Sequence, residues 1–166
     1  ITDPLTQVFN RGYLNENLPK AFKRAVRYHQ RLAILICDID HFKRINDRFG
    51  HLAGDQALRA VAQCAERTIR ESDMLFRYGG EEFAVILTET SEEEALAFAE
   101  KVRKPVEKTV LKWQGTEINV TISGGIASIQ NDNPGDFETL IDMADEALFF
   151  SKQRGRNRIT SFYNLK

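Results

Sequence analysis

Six consecutive apolar residues, Leu32-Ala33-Ile34-Leu35-Ile36-Cys37, constrain this chain more than any other segment. A run of that length bounded by polar residues is a strand buried on both faces, so helices must cover both sides of its sheet. The run ends in Asp38-Ile39-Asp40, which puts carboxylates at the carboxyl end of a buried strand, where open α/β sheets tend to bind ligands. A second acidic group follows a glycine pair in Gly79-Gly80-Glu81-Glu82-Phe83. Two glycines between the strand-like segments Met74 to Tyr78 and Glu82 to Leu87 read as a tight hairpin, because a primed turn needs positive φ at its centre. Lacking Cβ atoms, Gly79 and Gly80 also admit a phosphate-bearing ligand close to the backbone. Taken alone, this segment is equally an ordinary hairpin with solvated acids beyond it. Beside Asp38 and Asp40 it becomes a candidate hard-oxygen site for magnesium, and no thiolate or histidine cluster offers a softer metal a home.

No repeat, low-complexity tract or Pro/Gly/Ser linker divides the sequence, so residues 1–166 read as one domain. Apolar periodicity predicts a helix from Arg11 to Tyr28 through Leu14, Leu18, Ala21, Phe22 and Ala25, and a second from His51 to Arg70 through Leu58, Val61, Ala62, Ala65 and Ile69. Ser91 and Glu94 form a capping box for a third helix carrying Ala95, Ala99, Val102 and Val106. Glu117 to Ser123 alternates as a strand, Asp136 opens a fourth helix through Phe137, Leu140, Ile141, Ala144 and Leu148, and Arg158 to Phe162 reads as a last strand. This order predicts an α/β (α+β) fold, a mixed central sheet flanked by helices with a ferredoxin-like core.

Cys37 and Cys64 have no metal or redox spacing and read as reduced core residues of a cytoplasmic protein. A net charge of −1 offers no basic field for a nucleic-acid backbone, so the expected partner is a small anion met by a few local cations, not nucleic acid. The longest apolar run falls far short of a bilayer span and no signal-peptide pattern opens the chain, so no direct membrane contact is expected.

The stretch from Asp38 through Phe42, Lys43, Asn46, Asp47, Gly50, His51 and Gly54 to Asp55, followed by Arg77-Tyr78-Gly79-Gly80-Glu81-Glu82-Phe83, closely resembles the GGDEF family of bacterial diguanylate cyclases. The family pattern, Asp-x-Asp-x-Phe-Lys-x-x-Asn-Asp-x-x-Gly-His-x-x-Gly-Asp and then Arg-Tyr-Gly-Gly-(Asp/Glu)-Glu-Phe, is matched at every fixed position. Asp3-Pro4-Leu5-Thr6 with Asn10-Arg11 resembles the family's opening signature. Ala144-Asp145-Glu146-Ala147-Leu148 through Lys152 to Gly155-Arg156-Asn157 resembles its closing one, so nearly the whole chain is covered. Departures are Gln7 for glycine, Gly12 for arginine, Gly125 for an aliphatic residue and Ser151 for alanine.

The resemblance implies a fold like that of nucleotidyl cyclases and polymerase palms, and condensation of two GTP into cyclic di-GMP and two pyrophosphates. It implies two magnesium or manganese ions per GTP on the side chains of Asp38 and Glu81 and the carbonyl of Ile39. Glu81 would help remove the 3′-hydroxyl proton, with Glu82 as a second acid, and Asp40 is expected to point away by strand alternation. Lys43, Lys152 and Arg156 would answer phosphate charge beside Gly79 and Gly80, with Lys152 and Arg156 on one helical face. Asn46 and Asp55 would read guanine, since adenine would leave a buried carboxylate unpaired, and His51 is either a structural residue or a ligand contact. Arg70 and Asp73 match the family's Arg-x-x-Asp product-inhibition motif, although the spacing alone suits an intrahelical ion pair. Seven strand residues at ~3.3 Å put that motif about 20 Å from the metals.

Each domain would bind one GTP, so catalysis requires a second copy of the domain in a two-fold dimer. Beginning at Ile1 on a family signature, the chain reads as excised from a longer protein with an N-terminal sensory or regulatory domain, cytoplasmic even where the whole protein is membrane-anchored. The rival readings are a non-catalytic sensor of GTP or cyclic di-GMP, a cyclase making another nucleotide, and a polymerase palm. The intact acidic and basic set, Asp55, and the lack of a basic groove argue against them in turn.

Overall fold

The apolar run is strand β1 (Leu32–Ile39) at the centre of a five-stranded sheet, with all eight residues buried, in a computed structural model that describes residues 1–165. Lys166, the last residue of the predicted domain, lies outside the described residues. Strands β3 (Glu82–Thr88) and β6 (Ile122–Ser128) flank β1 antiparallel, β2 (Met74–Arg77) extends the sheet antiparallel beyond β3, and β7 (Ile159–Ser161) runs parallel to β6 at the other edge. Alternation along β1 makes two cores. Ala33, Leu35 and Cys37 pack with helices α3 (His51–Glu66) and α4 (Glu92–Lys108), whereas Ile34 and Ile36 pack with α1 (Arg11–Arg27) and α6 (Phe137–Gln153). The order β2-β3-β1-β6 with its crossing helices is the predicted ferredoxin-like core, to which β7, α1 and α6 are added.

Helix starts follow the side chains that cap them. Asn10 accepts from the Tyr13 N–H at 2.9 Å, Ser91 and Glu94 complete the predicted capping box, and Asp136 accepts from the Thr139 N–H at 2.7 Å. The second predicted helix starts at His51 as expected and differs at its other end. Residues 42–49, which carry the motif, form their own helix α2 (Phe42–Phe49), and Gly50 at φ +92° turns the chain into α3. Helix α3 then stops at Glu66, not Arg70, where the Thr68 hydroxyl bonds back to the Cys64 carbonyl at 2.9 Å.

The predicted strand Glu117 to Ser123 is two strands. Its first half is β5 (Thr116–Asn119), paired with β4 (Val110–Trp113) across a Gln114-Gly115 turn with both residues at positive φ, and its second half enters β6. Helix α5 (Ile129–Asp132) follows β6, and a 3-10 turn (Phe162–Leu165) ends the described chain. Gly124-Gly125 hides strand β6 in the sequence, and backbone contact explains Gly125. A Cβ on Gly125 would lie 2.1 Å from the Ala144 carbonyl oxygen, so the α6 backbone rests directly on β6. Ser151 fastens the same helix by donating to the Gly124 carbonyl at 2.7 Å, with the Thr160 hydroxyl also 2.7 Å away. These two departures from the family pattern therefore hold α6 down at the point where it delivers Lys152.

Candidate active site

Sheet pairing builds the acidic centre. Asp38 stands opposite Glu82 in the β1–β3 register, and the Ile39 N–H donates to the Glu81 carbonyl at 3.2 Å, so Glu81 lies against the carboxyl end of β1. From the other side Lys152, in the last turn of α6, places its ammonium on Asp38 Oδ2. Asp38 is buried, and its Oδ1 has no hydrogen-bond partner. An orphaned buried carboxylate oxygen costs free energy unless a cation or donor meets it. Burial, and then the negative charge of Asp38, push the Glu81 carboxyl up to about 7, with Lys152 pulling against them. Burial followed by Asp38 and Asp145 raises Glu82 as well. Asp145 itself is raised by burial and by Asp142, with Lys152 and Arg11 opposing. Several carboxylates therefore crowd one ammonium. Asp145, which stands in the closing signature with no role attached, thus joins this centre.

The Gly79-Gly80 turn differs from the expected primed hairpin. Neither glycine has φ in the left-handed region, and the loop is closed by the Tyr78 and Gly79 N–H groups donating to the Glu82 carbonyl at 2.8 and 3.2 Å. A Cβ on Gly80 would meet nothing within 4 Å, and one on Gly79 would make only ordinary contact with Glu82. Neither backbone strain nor protein packing calls for glycine here, which leaves the open space itself as the reason.

Asp40 is withdrawn from the centre, but not by alternation: residues two apart share a face of a strand. Its oxygens are occupied, accepting from the Thr121 hydroxyl at 2.7 Å, the Ser123 hydroxyl at 2.6 Å and the Asn157 N–H at 3.0 Å. Lys43 is exposed and pairs with Asp47 at 2.8 Å on the surface of α2. Lys152 and Arg156 do not share a helical face, because α6 ends at Gln153 and Gly155, Arg156 and Asn157 all take positive φ. The charges of Arg44 and Arg156, after burial, hold the His41 imidazole below its ordinary pKa, so these cations gather beyond Asp40. Arg44 carries no signal in the sequence, since an exposed arginine on an amphipathic helix looks ordinary, and Asn157 stands there only as part of the closing signature, with no role attached.

The α2–α3 corner holds a second polar group. Asn46 Oδ1 is buried without a partner and lies over Gly54, where a Cβ would be 1.9 Å from it. Gly54 is thus the only residue that admits this asparagine, and Asp55 follows on the same turn of α3, half-buried, with His51 exposed at the helix start.

Arg70 and Asp73 sit after α3 in a turn, not on a helix. The buried Asp73 accepts from Arg70 Nε at 3.1 Å, Nη2 at 2.9 Å and the Arg70 backbone N–H at 2.9 Å. Arg70 Nη2 also donates to the Thr88 carbonyl at 3.0 Å and the Thr90 hydroxyl at 2.6 Å. A cavity of about 260 Å³ opens beside them, lined also by Glu94, Phe98 and Lys101 of α4. Thr88 pairs with Leu32 and Glu82 with Asp38, so six residue rises, ~20 Å, separate this cavity from the acidic centre.

The profile of the family described as "Diguanylate cyclase, GGDEF domain" matches residues 1–158. Diguanylate cyclase DosC of Escherichia coli is 48% identical over 162 residues, which are 95% of this chain and 34% of that protein. Diguanylate cyclase DgcP of Pseudomonas aeruginosa is 39% identical over 96% of this chain and 23% of that protein. The chain thus spans about a third or less of the length of these relatives. The GGDEF domain of DgcB from Caulobacter crescentus in complex with c-di-GMP superposes with a TM-score of 0.92 at 34% identity, covering 97% of this chain and 95% of that one. The active GGEEF domain of a diguanylate cyclase from Vibrio cholerae gives 0.87 at 33% identity, over 94% of this chain and 98% of that one.

Proposed function

Because the chain belongs to the GGDEF diguanylate cyclase family, we propose that it condenses two GTP into cyclic di-GMP and two pyrophosphates. The observation that carries the reading is the meeting of Asp38, Glu81 and Lys152 beside a glycine loop kept open for no reason internal to the protein. Among the described residues no three carboxylate, imidazole or thiolate side chains form a metal-binding group. The fit is instead two carboxylates, Asp38 with its orphaned Oδ1 and Glu81, plus the Ile39 carbonyl, a hard-oxygen set suited to magnesium or manganese. The triphosphate and water would supply the remaining ligands. Bound there, such ions would neutralise phosphate charge and acidify the attacking hydroxyl.

The chain's own residues do the rest. Glu81 accepts the 3′-hydroxyl proton, and Glu82 adds negative charge that favours the cations. Lys152 exchanges Asp38 for a phosphate oxygen, while Lys43 and Arg156 answer the outer phosphates that pass Gly79 and Gly80. Asn46 and Asp55 read guanine, with His51 at the rim of that pocket. The two half-sites meet in a two-fold dimer of this domain, and Arg70 with Asp73 binds the product away from the centre. No helix among the described residues is long and apolar enough to cross a membrane. Separating the nucleotides formed from GTP, ATP and their mixture with magnesium tests the reading. Cyclic di-GMP from GTP and no cyclic dinucleotide from ATP is expected. GTP binding without product across a wide range of protein concentration would make the chain a sensor.

A further inference from the structure

We infer that Arg103, Asn157 and the buried Asp40 are positioning residues that fix the turn carrying Arg156 for the triphosphate. The inference rests on the proposed reading of Arg156 as a phosphate contact, and its basis is the turn that follows α6. Gly155, Arg156 and Asn157 stand at φ +115°, +63° and +47°. Glycine takes such angles freely and asparagine tolerates them, but an arginine does so only where its surroundings enforce it.

The enforcement is visible on both sides of Arg156. Its own N–H donates to the Ser151 carbonyl at 3.0 Å, and the next N–H, that of Asn157, donates to Asp40 Oδ2 at 3.0 Å. Asp40 is itself fixed by the Thr121 and Ser123 hydroxyls, so a carboxylate two residues from Asp38 serves as an anchor and not as a ligand. The Asn157 side chain is held from α4: its Oδ1 accepts from Arg103 Nη1 at 2.9 Å, and its Nδ2 donates to Glu107. Arg103 is only 13% exposed and is braced in turn by Glu100 and Glu107. One residue further on, the Arg158 carbonyl accepts from the Gly124 N–H at 2.9 Å, which ties the end of the turn to β6.

Every group that fixes the turn is a neighbour of Arg156 in sequence or space, and none of those from α4 touches the acidic centre. This network fixes the backbone from which the Arg156 side chain projects, so the direction in which the guanidinium is offered is set before substrate arrives. A pre-positioned cation loses less entropy on meeting an anion than a mobile one, and the gain falls on the outer phosphates alone. The guanine pocket around Asn46 and Asp55 lies on α2 and α3, outside the network.

The test compares GTP with GMP, which shares the base and lacks the outer phosphates. Isothermal titration with magnesium present is done on the parent chain, Arg103→Met, Arg103→Lys, Asn157→Gly and Arg156→Ala. Arg103→Met is expected to weaken GTP binding about tenfold with GMP affinity unchanged, as loss of a charge-assisted contact on the clamp implies. Arg103→Lys, which can still donate to Asn157, recovers part of the loss. Asn157→Gly takes the same positive φ without strain, removes the side-chain ties and loosens the turn further, so it reproduces the effect even if Arg103→Met fails to fold. If Arg156→Ala lowers the GTP advantage while Arg103→Met and Asn157→Gly retain it, the positioning role is overturned and the phosphate contact stands. Equal loss for GTP and GMP would show a merely structural role and also overturn it. A parent chain that binds GTP no better than GMP and forms no cyclic di-GMP would overturn the functional reading and this inference together.

Discussion

Glu81 reports on the acidic centre through its proton. Its carboxyl is raised from an ordinary 4.5 to about 7 by burial and by Asp38, so the folded state holds this proton more tightly than the unfolded chain. Between about pH 4.5 and 7 the folded state therefore binds more protons, and stability from this group falls as pH rises through that window. In chelator, the thermal midpoint of Glu81→Gln is expected to decline less over that window than the parent's, and added magnesium is expected to stabilise the parent most above pH 7, where the carboxylate is free of its proton. An identical slope for the two proteins would detach Glu81 from Asp38. With GTP and magnesium, Glu81→Gln is expected to lose far more than the tenfold that corresponds to roughly 1.4 kcal/mol of barrier, while its far-ultraviolet spectrum is kept. Asp38, Glu81 and Lys152 could be read from the sequence because the motif names them and sheet pairing must bring two of them together. The fate of Asp40 could not be, since it depends on Thr121, Ser123 and Asn157 arriving from distant segments.

The elements meet where side chains are absent. Helix α6 lies so close to β6 that a single methyl at Gly125 would collide with the carbonyl of Ala144 and the amide of Leu148, both backbone atoms that cannot rotate aside. Gly125→Ala is expected to cost about 1–3 kcal/mol or more, a fall in the thermal midpoint of at least several degrees by calorimetry. A neutral result would mean that α6 floats above the sheet. The turn after α3 gives a second expectation. Arg70→Ala would strand the buried Asp73, so the informative change is Arg70→Lys, which keeps the charge and loses the fork. Titration with cyclic di-GMP is expected to show about tenfold weaker binding, with initial GTP turnover near the parent's. Unchanged affinity would return Arg70 and Asp73 to a purely structural pair. Periodicity revealed α1, α4 and α6, whose stripes are long. It missed α2, which is only eight residues, and β6, whose paired glycines carry no apolar signal although contact with α6 requires Gly125.

At the scale of the whole molecule, α4 does two jobs at once. Its N-terminal ten residues, through Glu94, Phe98 and Lys101, wall the cavity beside Arg70, and the turns after them, through Arg103 and Glu107, grip Asn157. Seventeen residues of α-helix make a rod of about 25 Å. Binding of cyclic di-GMP in the Arg70 cavity is expected to slow amide hydrogen exchange at Arg156 and Asn157, the two N–H groups held by Ser151 and Asp40. No change there would mean that the halves of the helix answer to their own neighbours alone. A rod cannot be pressed at one end without loading its other support, so the cell's stock of finished product and the grip on incoming substrate would rest on one beam.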